Sequence, residues 1–213
     1  MKLYTFPNAP SPRRVHLFLA EKGLQINQQM VDIRSGEHLQ TRVLAGNPAR
    51  TVPMLELDDG RCLSESAAIC RYLEEFQPEP PLLGSNANDR AVIADCDHWI
   101  EMHGLLAVME AFRNAVPRLK DRALPGMRPV AQIPALAKRG RERYGWFLED
   151  LNLKLSKQDY VAGDTFSVAD ITALVAIDFA RGGIKIDIPK HALHLRDWYQ
   201  RINQRPAIQQ AAT

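Results

Sequence analysis

The segment Gln77–Pro81 (QPEPP) constrains the fold most, because it places three prolines within five residues. Proline lacks the backbone N–H that helices and central strands use, so neither element can run through this segment. We therefore expect a linker near residue 80 between two domains, residues 1–80 and 87–213. A chain of 213 residues is long enough for two small domains.

Short strand-like and helix-like segments alternate before the linker. Apolar periodicity predicts strands at 2–6, 28–33, 53–57 and 61–63, and helices at 11–22, at about 37–45 and from Ser64 onward. The tripeptide Asp58-Asp59-Gly60 predicts a hairpin turn between the last two strands. The expected order is β-α-β-α-β-β-α, in which the first two strands are parallel and the hairpin is antiparallel.

The chain after the linker has helical patterns separated by prolines. Amphipathic stripes predict helices through Leu105, Val108, Met109, Phe112 and Val116, through Tyr144, Phe147, Leu148, Leu151 and Leu155, and through Leu195, Trp198, Tyr199 and Ile202, the last stopped by Pro206. The apolar residues of 171–177 crowd more than one helix face, which predicts a central buried helix. The fold class is therefore an α/β domain followed by an all-α domain.

Composition excludes several classes of function. A net charge of +2 gives no basic excess for a nucleic-acid partner. No apolar run reaches the roughly 18 residues of a membrane span, and the N-terminus does not resemble a signal peptide. The three cysteines lack a CxxC motif, and Cys96 with His98 has no common metal-site spacing, so we expect neither disulfides nor a metal. A cytoplasmic location is the simplest expectation.

Two segments at predicted helix starts can bind charged groups. Ser11 is predicted to be a helix N-cap with Pro12 in the first helical position. Alone this serine need only cap the helix, but its hydroxyl or the Asn8 amide can also stabilise an anion there. Ser66 and free backbone N–H groups can hold a carboxylate at the next helix start, while Glu65 accepts from an ammonium. That pair would fit the α-amino-acid end of a ligand.

The third segment is Thr51-Val52-Pro53 at a strand start. A trans peptide bond there would be an ordinary beginning of a strand. A cis bond would turn the backbone of Val52 outward, where it can pair with an extended peptide.

In this order on a β-α-β-α-β-β-α frame, the segments resemble the cytosolic glutathione transferases. The matching stretches are SPRRVHLFLAEKG, SGEHLQTRVLAGNP, TVPMLELDDG and LSESAAICRYLE, then DYVAGDTFSVADITAL, where Ser167 and Asp170 form a capping-box variant, and LRDWYQRINQRPAI. The resemblance covers nearly the whole chain and is closest to the theta-like bacterial and fungal members, including the atypical yeast type. It implies a thioredoxin-like N-terminal domain, a C-terminal helical bundle and a homodimer.

The resemblance also implies roles for individual residues. Val52 and a cis Pro53 would hold the cysteinyl backbone of glutathione, and Glu65 and Ser66 its γ-glutamyl end. His38, in GEHLQ, would reach the glycyl carboxylate.

The thiol-activating position departs from the family pattern. It falls on Asn8 in one alignment and on Ser11 after a one-residue gap; we rank Ser11 first and Asn8 second. Tyr4 lies inside the first strand, too early in the chain to match the catalytic tyrosine of other classes of the family, and we expect it to be packed there. The helix residues that activate the thiol through water in the yeast type correspond to 112–114, without that type's histidines. The electrophile pocket is expected to contain Phe6, Met109, Phe112 and Arg113.

The implied reaction is attack of the glutathione thiolate on a small hydrophobic electrophile, a detoxification chemistry with glutathione as co-substrate. A glutathione-dependent disulfide or peroxide reductase is an alternative, although no cysteine stands at the first helix start, where a protein thiol belongs. A non-catalytic regulatory protein with the same fold is the other alternative.

Overall fold

A computed structural model describes residues 1–40 and 42–211. The chain forms two compact units. Among the described residues, the first comprises Met1–Pro80 and Pro125–Arg128, and the second comprises Pro81–Leu124 and residues 129–211.

The first unit contains a four-stranded mixed sheet and two helices. In chain order its elements are β1 (Lys2–Thr5), α1 (Pro10–Glu21), β2 (Asn27–Met30), a 3₁₀ turn (Glu37–Leu39), β3 (Met54–Glu56), β4 (Cys62–Leu63) and α2 (Ser66–Phe76). The strand order is β2-β1-β3-β4; β1 and β2 are parallel, and the other pairs are antiparallel. This is the expected thioredoxin-like topology, including the hairpin turn at Gly60, whose φ is 84°.

Two apolar clusters stabilise this unit. Helices α1 and α2 pack against each other, and their inward residues are fully or almost fully buried: Val15, Leu17, Phe18, Leu19, Ile69, Cys70 and Leu73. A second cluster contains Val31, Leu44 and Met54, with Tyr4, Val43, Val52 and Cys62 packed around it. Successive residues of β1 differ in burial, because side chains in a strand alternate between the two faces of the sheet. Leu3 is fully buried, and Tyr4 is half-buried.

The predicted helix over 37–45 is wrong. Only Glu37–Leu39 is helical, as a single 3₁₀ turn, and residues 42–46 form turns; Thr41 lies outside the described residues. Leu44 is the one apolar residue of the described part of this segment that is fully buried, too little to anchor the apolar face of an α-helix.

The second strand also ends before the predicted residue 33. The N–H of Val31 still donates to the Thr5 carbonyl at 2.9 Å. The Asp32 carboxylate then accepts from the N–H of Arg34 at 2.9 Å. This Asx turn ends the strand.

The second unit is all-helical. Its helices are α3 (Ala87–Ile100), α4 (Leu106–Ala115), α5 (Pro134–Leu155), α6 (Val168–Phe179), α7 (Leu193–Asn203) and α8 (Pro206–Ala211). Single π-helical turns follow α3 and α6. The predicted central helix is confirmed, since every residue of 168–177 in α6 is buried. Pro206 begins α8 after α7 has already ended. Among the described helices, none combines the length and apolar character needed to span a bilayer.

Candidate functional site

The predicted glutathione-binding segments lie at one edge of the sheet in the first unit. Strands β1, β2 and β4 run in the same direction, and β3 runs against them. The carboxyl ends of β1, β2 and β4 therefore meet the amino end of β3 at a single edge, which we call the binding edge. The segments there are Asn8–Ser11 after β1, His38 after β2, Val52–Pro53 before β3 and Glu65–Ser66 after β4.

The N-cap of helix α1 lies two residues earlier than predicted. Its N-cap is Ala9, and Pro10, not Pro12, is the first helical residue. The predicted N-cap role of Ser11 is therefore wrong: Ser11 is the second residue of the helix and is half-buried. A proline in the first turn loses no helical hydrogen bond, so the helix can start at the earlier proline.

The two prolines leave Ser11 as the backbone donor of this first turn. Pro10 and Pro12 have no N–H, and the N–H of Arg13 donates to the Ala9 carbonyl at 3.0 Å. No described residue accepts from the N–H of Ser11. The amide and hydroxyl of Ser11 can therefore act on the same anion at the positive end of the helix dipole. Asn8 is exposed in the preceding turn.

The Val52–Pro53 peptide bond is cis, and Pro53 is buried at the start of β3. Among the described residues, none forms a hydrogen bond with the backbone of Val52. The preceding loop is held by Asn47, which is buried and whose Nδ2 donates to the Thr51 carbonyl at 2.8 Å. A buried amide thus fixes the loop that presents an unoccupied backbone segment at the binding edge.

Helix α2 begins with unoccupied donors. Glu65 is its exposed N-cap, and its side chain makes no capping hydrogen bond. The first intrahelical-type bond runs from the N–H of Ile69 to the Glu65 carbonyl at 2.9 Å. The N–H groups of residues 66–68 have no acceptor within the helix, because no helical carbonyl lies four residues before them. With the Ser66 hydroxyl they suit a carboxylate, and the Glu65 carboxylate beside them suits an ammonium.

A contact that the sequence analysis missed joins the two helix starts. Nη1 of Arg14 donates to Oγ of Ser66 at 3.3 Å, and Arg14 is only 1% exposed. The second turn of α1 therefore reaches the start of α2 through this side chain. The signal was the spacing: Arg14 precedes Leu17 and Phe18 by three and four residues, which puts the arginine on the buried face of α1.

Two other predicted residues of this unit are already engaged. His38 is half-buried in the 3₁₀ turn and interacts with another part of the protein. Tyr4 is packed, as expected: its hydroxyl donates to Oε2 of Glu56 at 2.8 Å. That hydrogen bond and burial raise the pKa of Tyr4, which disfavours a tyrosinate.

The apolar residues assigned to the electrophile pocket are partly exposed in their own units. Phe6 is half-buried in the first unit, with the Arg34 guanidinium 5.5 Å from its ring centroid. In the second unit, Met109 is half-buried, and Phe112 packs edge-on against Phe179 with 5.2 Å between ring centroids. Their grouping in one pocket stays a prediction.

The guanidinium of Arg113 is engaged within the second unit. Its Nη2 donates to the carbonyls of Arg122 and Leu124 at 2.7 and 2.9 Å. Burial, with the nearby charge of Arg122, lowers its pKa. Arg113 therefore holds the loop after α4, and its predicted place in the electrophile pocket stays a prediction.

Comparison with protein-family models gives two matches, one on each side of the linker. The "Glutathione S-transferase, N-terminal domain" model matches residues 9–75, and the "Glutathione S-transferase, C-terminal domain" model matches residues 108–206.

Individual proteins match over most of the chain. Glutathione S-transferase 2 of Saccharomyces cerevisiae is 34% identical over 98% of this chain and 88% of its own length. The crystal structure of Gtt2 from Saccharomyces cerevisiae has a TM-score of 0.90 at 32% identity, covering 99% of this chain and 100% of that one. Maleylacetoacetate isomerase of Pseudomonas aeruginosa is 44% identical over 70% of this chain and 85% of its own length.

Proposed function

Because the chain belongs to the glutathione S-transferase family, we propose that it conjugates the thiolate of glutathione to small hydrophobic electrophiles. The observation that carries the proposal is the Arg14–Ser66 contact, which links the second turn of α1 to the first residue of α2 near the binding edge. Two sets of unoccupied donors, at the starts of α1 and α2, lie at this edge. One set suits a thiolate and the other suits a carboxylate.

The proposed position of glutathione uses these groups in order. Its γ-glutamyl carboxylate binds the N-terminus of α2 and Ser66, and its ammonium binds Glu65. The cysteinyl backbone pairs with the unoccupied backbone of Val52, as an added strand does. His38 contacts the glycyl carboxylate. This arrangement directs the cysteinyl thiol toward Ser11 and Asn8.

Ionisation of the thiol is the chemical requirement. A free thiol has a pKa of about 8.5, so only about 3% is thiolate at pH 7. Lowering the pKa by about two units makes roughly three-quarters reactive and needs about 2.7 kcal/mol of selective thiolate stabilisation. A hydrogen bond from the Ser11 hydroxyl to the charged sulfur, together with the free Ser11 amide at the helix start, supplies stabilisation of this order.

The thiolate then attacks the electrophile. A lone pair of the sulfur forms the new carbon–sulfur bond. In a substitution, the displaced group leaves with the electrons of the broken bond. In an addition to a double bond, the carbanion that forms takes up a proton. Holding both reactants together supplies the rest of the acceleration. We propose that Phe6, Met109, Phe112 and Arg113 surround the second substrate.

The assembly and setting are part of the same proposal. We infer a cytoplasmic homodimer that acts in detoxification, on the basis of the family and of a composition without membrane or nucleic-acid signals. Sedimentation analysis of the purified protein tests the dimer: a monomer at micromolar concentration would contradict it.

Calorimetric titration with glutathione, followed by ultraviolet absorbance of the bound thiolate against pH, tests the reaction. A bound thiol pKa well below about 8.5, with turnover of an activated aryl halide, supports conjugation. Turnover of disulfides or peroxides without conjugation would instead support a reductase, and isomerisation of maleylacetoacetate would support the reaction named for the Pseudomonas relative. Absence of glutathione binding would favour a non-catalytic protein.

A further inference from the structure

A buried arginine of α1 contacts the hydroxyl at the start of α2. Arg14 is 1% exposed and Ser66 is 8% exposed, and Nη1 of the arginine donates to Oγ of the serine at 3.3 Å. A guanidinium has donors and no acceptor, so the serine oxygen must accept in this contact. The hydroxyl proton of Ser66 therefore points away from Arg14.

The direction of that proton decides what Ser66 can bind. A serine hydroxyl rotates freely between donor and acceptor roles unless a neighbour fixes it. With one lone pair of its oxygen engaged by Arg14, Ser66 keeps its proton available to donate in another direction. The N–H groups of residues 66–68 at the same helix start also donate, and the guanidinium adds a positive charge behind them. Hydroxyl, amides and charge therefore all favour an anion at one point.

We propose that Arg14 is a positioning residue for the α-carboxylate of the γ-glutamyl group. By donating to Ser66, it converts the serine hydroxyl into a fixed donor toward the binding edge and makes the site select ligands that carry that carboxylate. This inference rests on the proposed function, since the ligand is glutathione. It assigns to Arg14 a role in specificity in addition to its packing on the buried face of α1.

A purely structural role predicts a different outcome. An arginine that only packed between α1 and α2 would, when replaced, weaken binding of every ligand of the site equally. A positioning role weakens only the ligands that present the carboxylate. The matched pair is glutathione and γ-aminobutyryl-cysteinyl-glycine, which is the same tripeptide without the α-carboxylate.

Calorimetry of the full chain with both ligands measures this difference. We expect the native protein to prefer glutathione, and Arg14→Met to lower glutathione affinity about tenfold, the size of losing a hydrogen bond to a charged group. Its affinity for the decarboxylated analogue should not change. Ser66→Ala should give the same pattern, and the double variant should lose little more than either single variant, because one acts through the other.

Arg71→Met is the matched control, because Arg71 is an exposed arginine of α2, the helix that Ser66 begins. It should leave both affinities unchanged. Far-ultraviolet circular dichroism and thermal unfolding verify that each variant is folded. If Arg14→Met does not fold, Arg14→Lys, which keeps the charge but not the planar fork, takes its place in the cycle with Ser66→Ala, with a smaller loss of carboxylate preference expected.

The outcomes separate the two proposals. Failure of the native protein to bind glutathione would overturn the proposed function. Binding with a carboxylate preference that survives in a folded Arg14 variant would overturn the role of Arg14 alone. An equal loss for both ligands, or full additivity with Ser66→Ala, would also overturn it.

Discussion

The indole N–H of Trp198 donates to Oδ1 of Asp170 at 2.8 Å, and both side chains are almost completely buried. The same carboxylate accepts from the N–H groups of Ser167 and Val161, each at 3.0 Å. With Ser167 it forms the capping box at the start of α6 that the sequence predicts. One carboxylate thus attaches α7 and the segment around Val161 to the central helix. Burial raises the pKa of Asp170 to about 6, although these hydrogen bonds act to lower it.

The raised pKa predicts a pH dependence of stability. The ordinary value is 3.8, so between that pH and about 6 the folded state holds a proton that the unfolded state has released. The contribution of Asp170 to the free energy of unfolding is therefore fully present below pH 3.8 and is lost as the pH rises through about 6. The free energy of unfolding, measured with urea at several pH values in this range, should therefore depend on pH differently in the native protein and in Asp170→Asn.

Asp150→Asn is the control, because Asp150 is exposed on α5. Its unfolding free energy should follow that of the native protein at every pH. Parallel curves for Asp170→Asn and the native protein would contradict the raised pKa.

Lys22 predicts a large loss of stability on substitution. Its side chain is fully buried, and its Nζ lies 2.5 Å from Oε2 of Glu74. It also donates to the carbonyls of Pro78 and Pro80 at 2.9 and 2.5 Å, which fixes the linker to the end of α1. We expect Lys22→Met to lower the free energy of unfolding by about 3 kcal/mol, because it removes one partner of a buried ion pair. Denaturant unfolding measures the change.

Exposed Lys138, whose Nζ lies 3.9 Å from Glu142, provides the control for this substitution. Lys138→Met should change the free energy of unfolding by less than about 0.5 kcal/mol. Equal effects of the two substitutions would show that burial of the Lys22 ion pair is not what stabilises the linker.

Replacing two different glycines of α5 by alanine should change the free energy of unfolding in opposite directions. A Cβ added at Gly140 would lie 2.6 Å from the Ala107 carbonyl oxygen and 2.7 Å from the Ala111 nitrogen, both backbone atoms of α4. At Gly145 it would meet nothing within 4 Å. Thermal unfolding should show Gly140→Ala destabilised by about 1–3 kcal/mol through forced separation of the helices. Gly145→Ala should be stabilised by about 0.5–1 kcal/mol through helix propensity.

This comparison is internally controlled, since both substitutions add the same methyl group to the same helix. If Gly140→Ala were stabilised, the backbones of α4 and α5 could not lie as close together at Gly140 as the structure shows.

Replacing Ser11 should change the pKa of the bound glutathione thiol more than replacing Asn8. Ser11 offers a hydroxyl and an unoccupied N–H in the first turn of α1, whereas Asn8 is exposed in the turn before it. Ser11→Ala should raise the pKa of bound glutathione by about one to two units, the equivalent of a hydrogen bond to a charged group. Asn8→Ala should raise it less. Thiolate absorbance against pH gives both values, and the reverse order would move the activating role to Asn8.

Much of the fold was predictable because its signals are local. The prolines at 78, 80 and 81, the turn at Gly60 and the Ser167–Asp170 capping box each depend on residues a few positions apart. The helix over 37–45 was not predictable in this way. Its apolar spacing was suitable, but the folded unit buries too few of its side chains to support a helix.

By itself the sequence determined the two-part organisation, the strand order along the chain and the family, because proline chemistry, periodicity and motif order are properties of neighbouring residues. Only the tertiary structure decided which parts of α1 and α2 lie together. Arg14 and Ser66 are 52 positions apart, and their contact exists because α1 and α2 pack against each other. Burial of a charge is likewise a property of the folded unit: Arg14 is 1% exposed because α2 packs against α1.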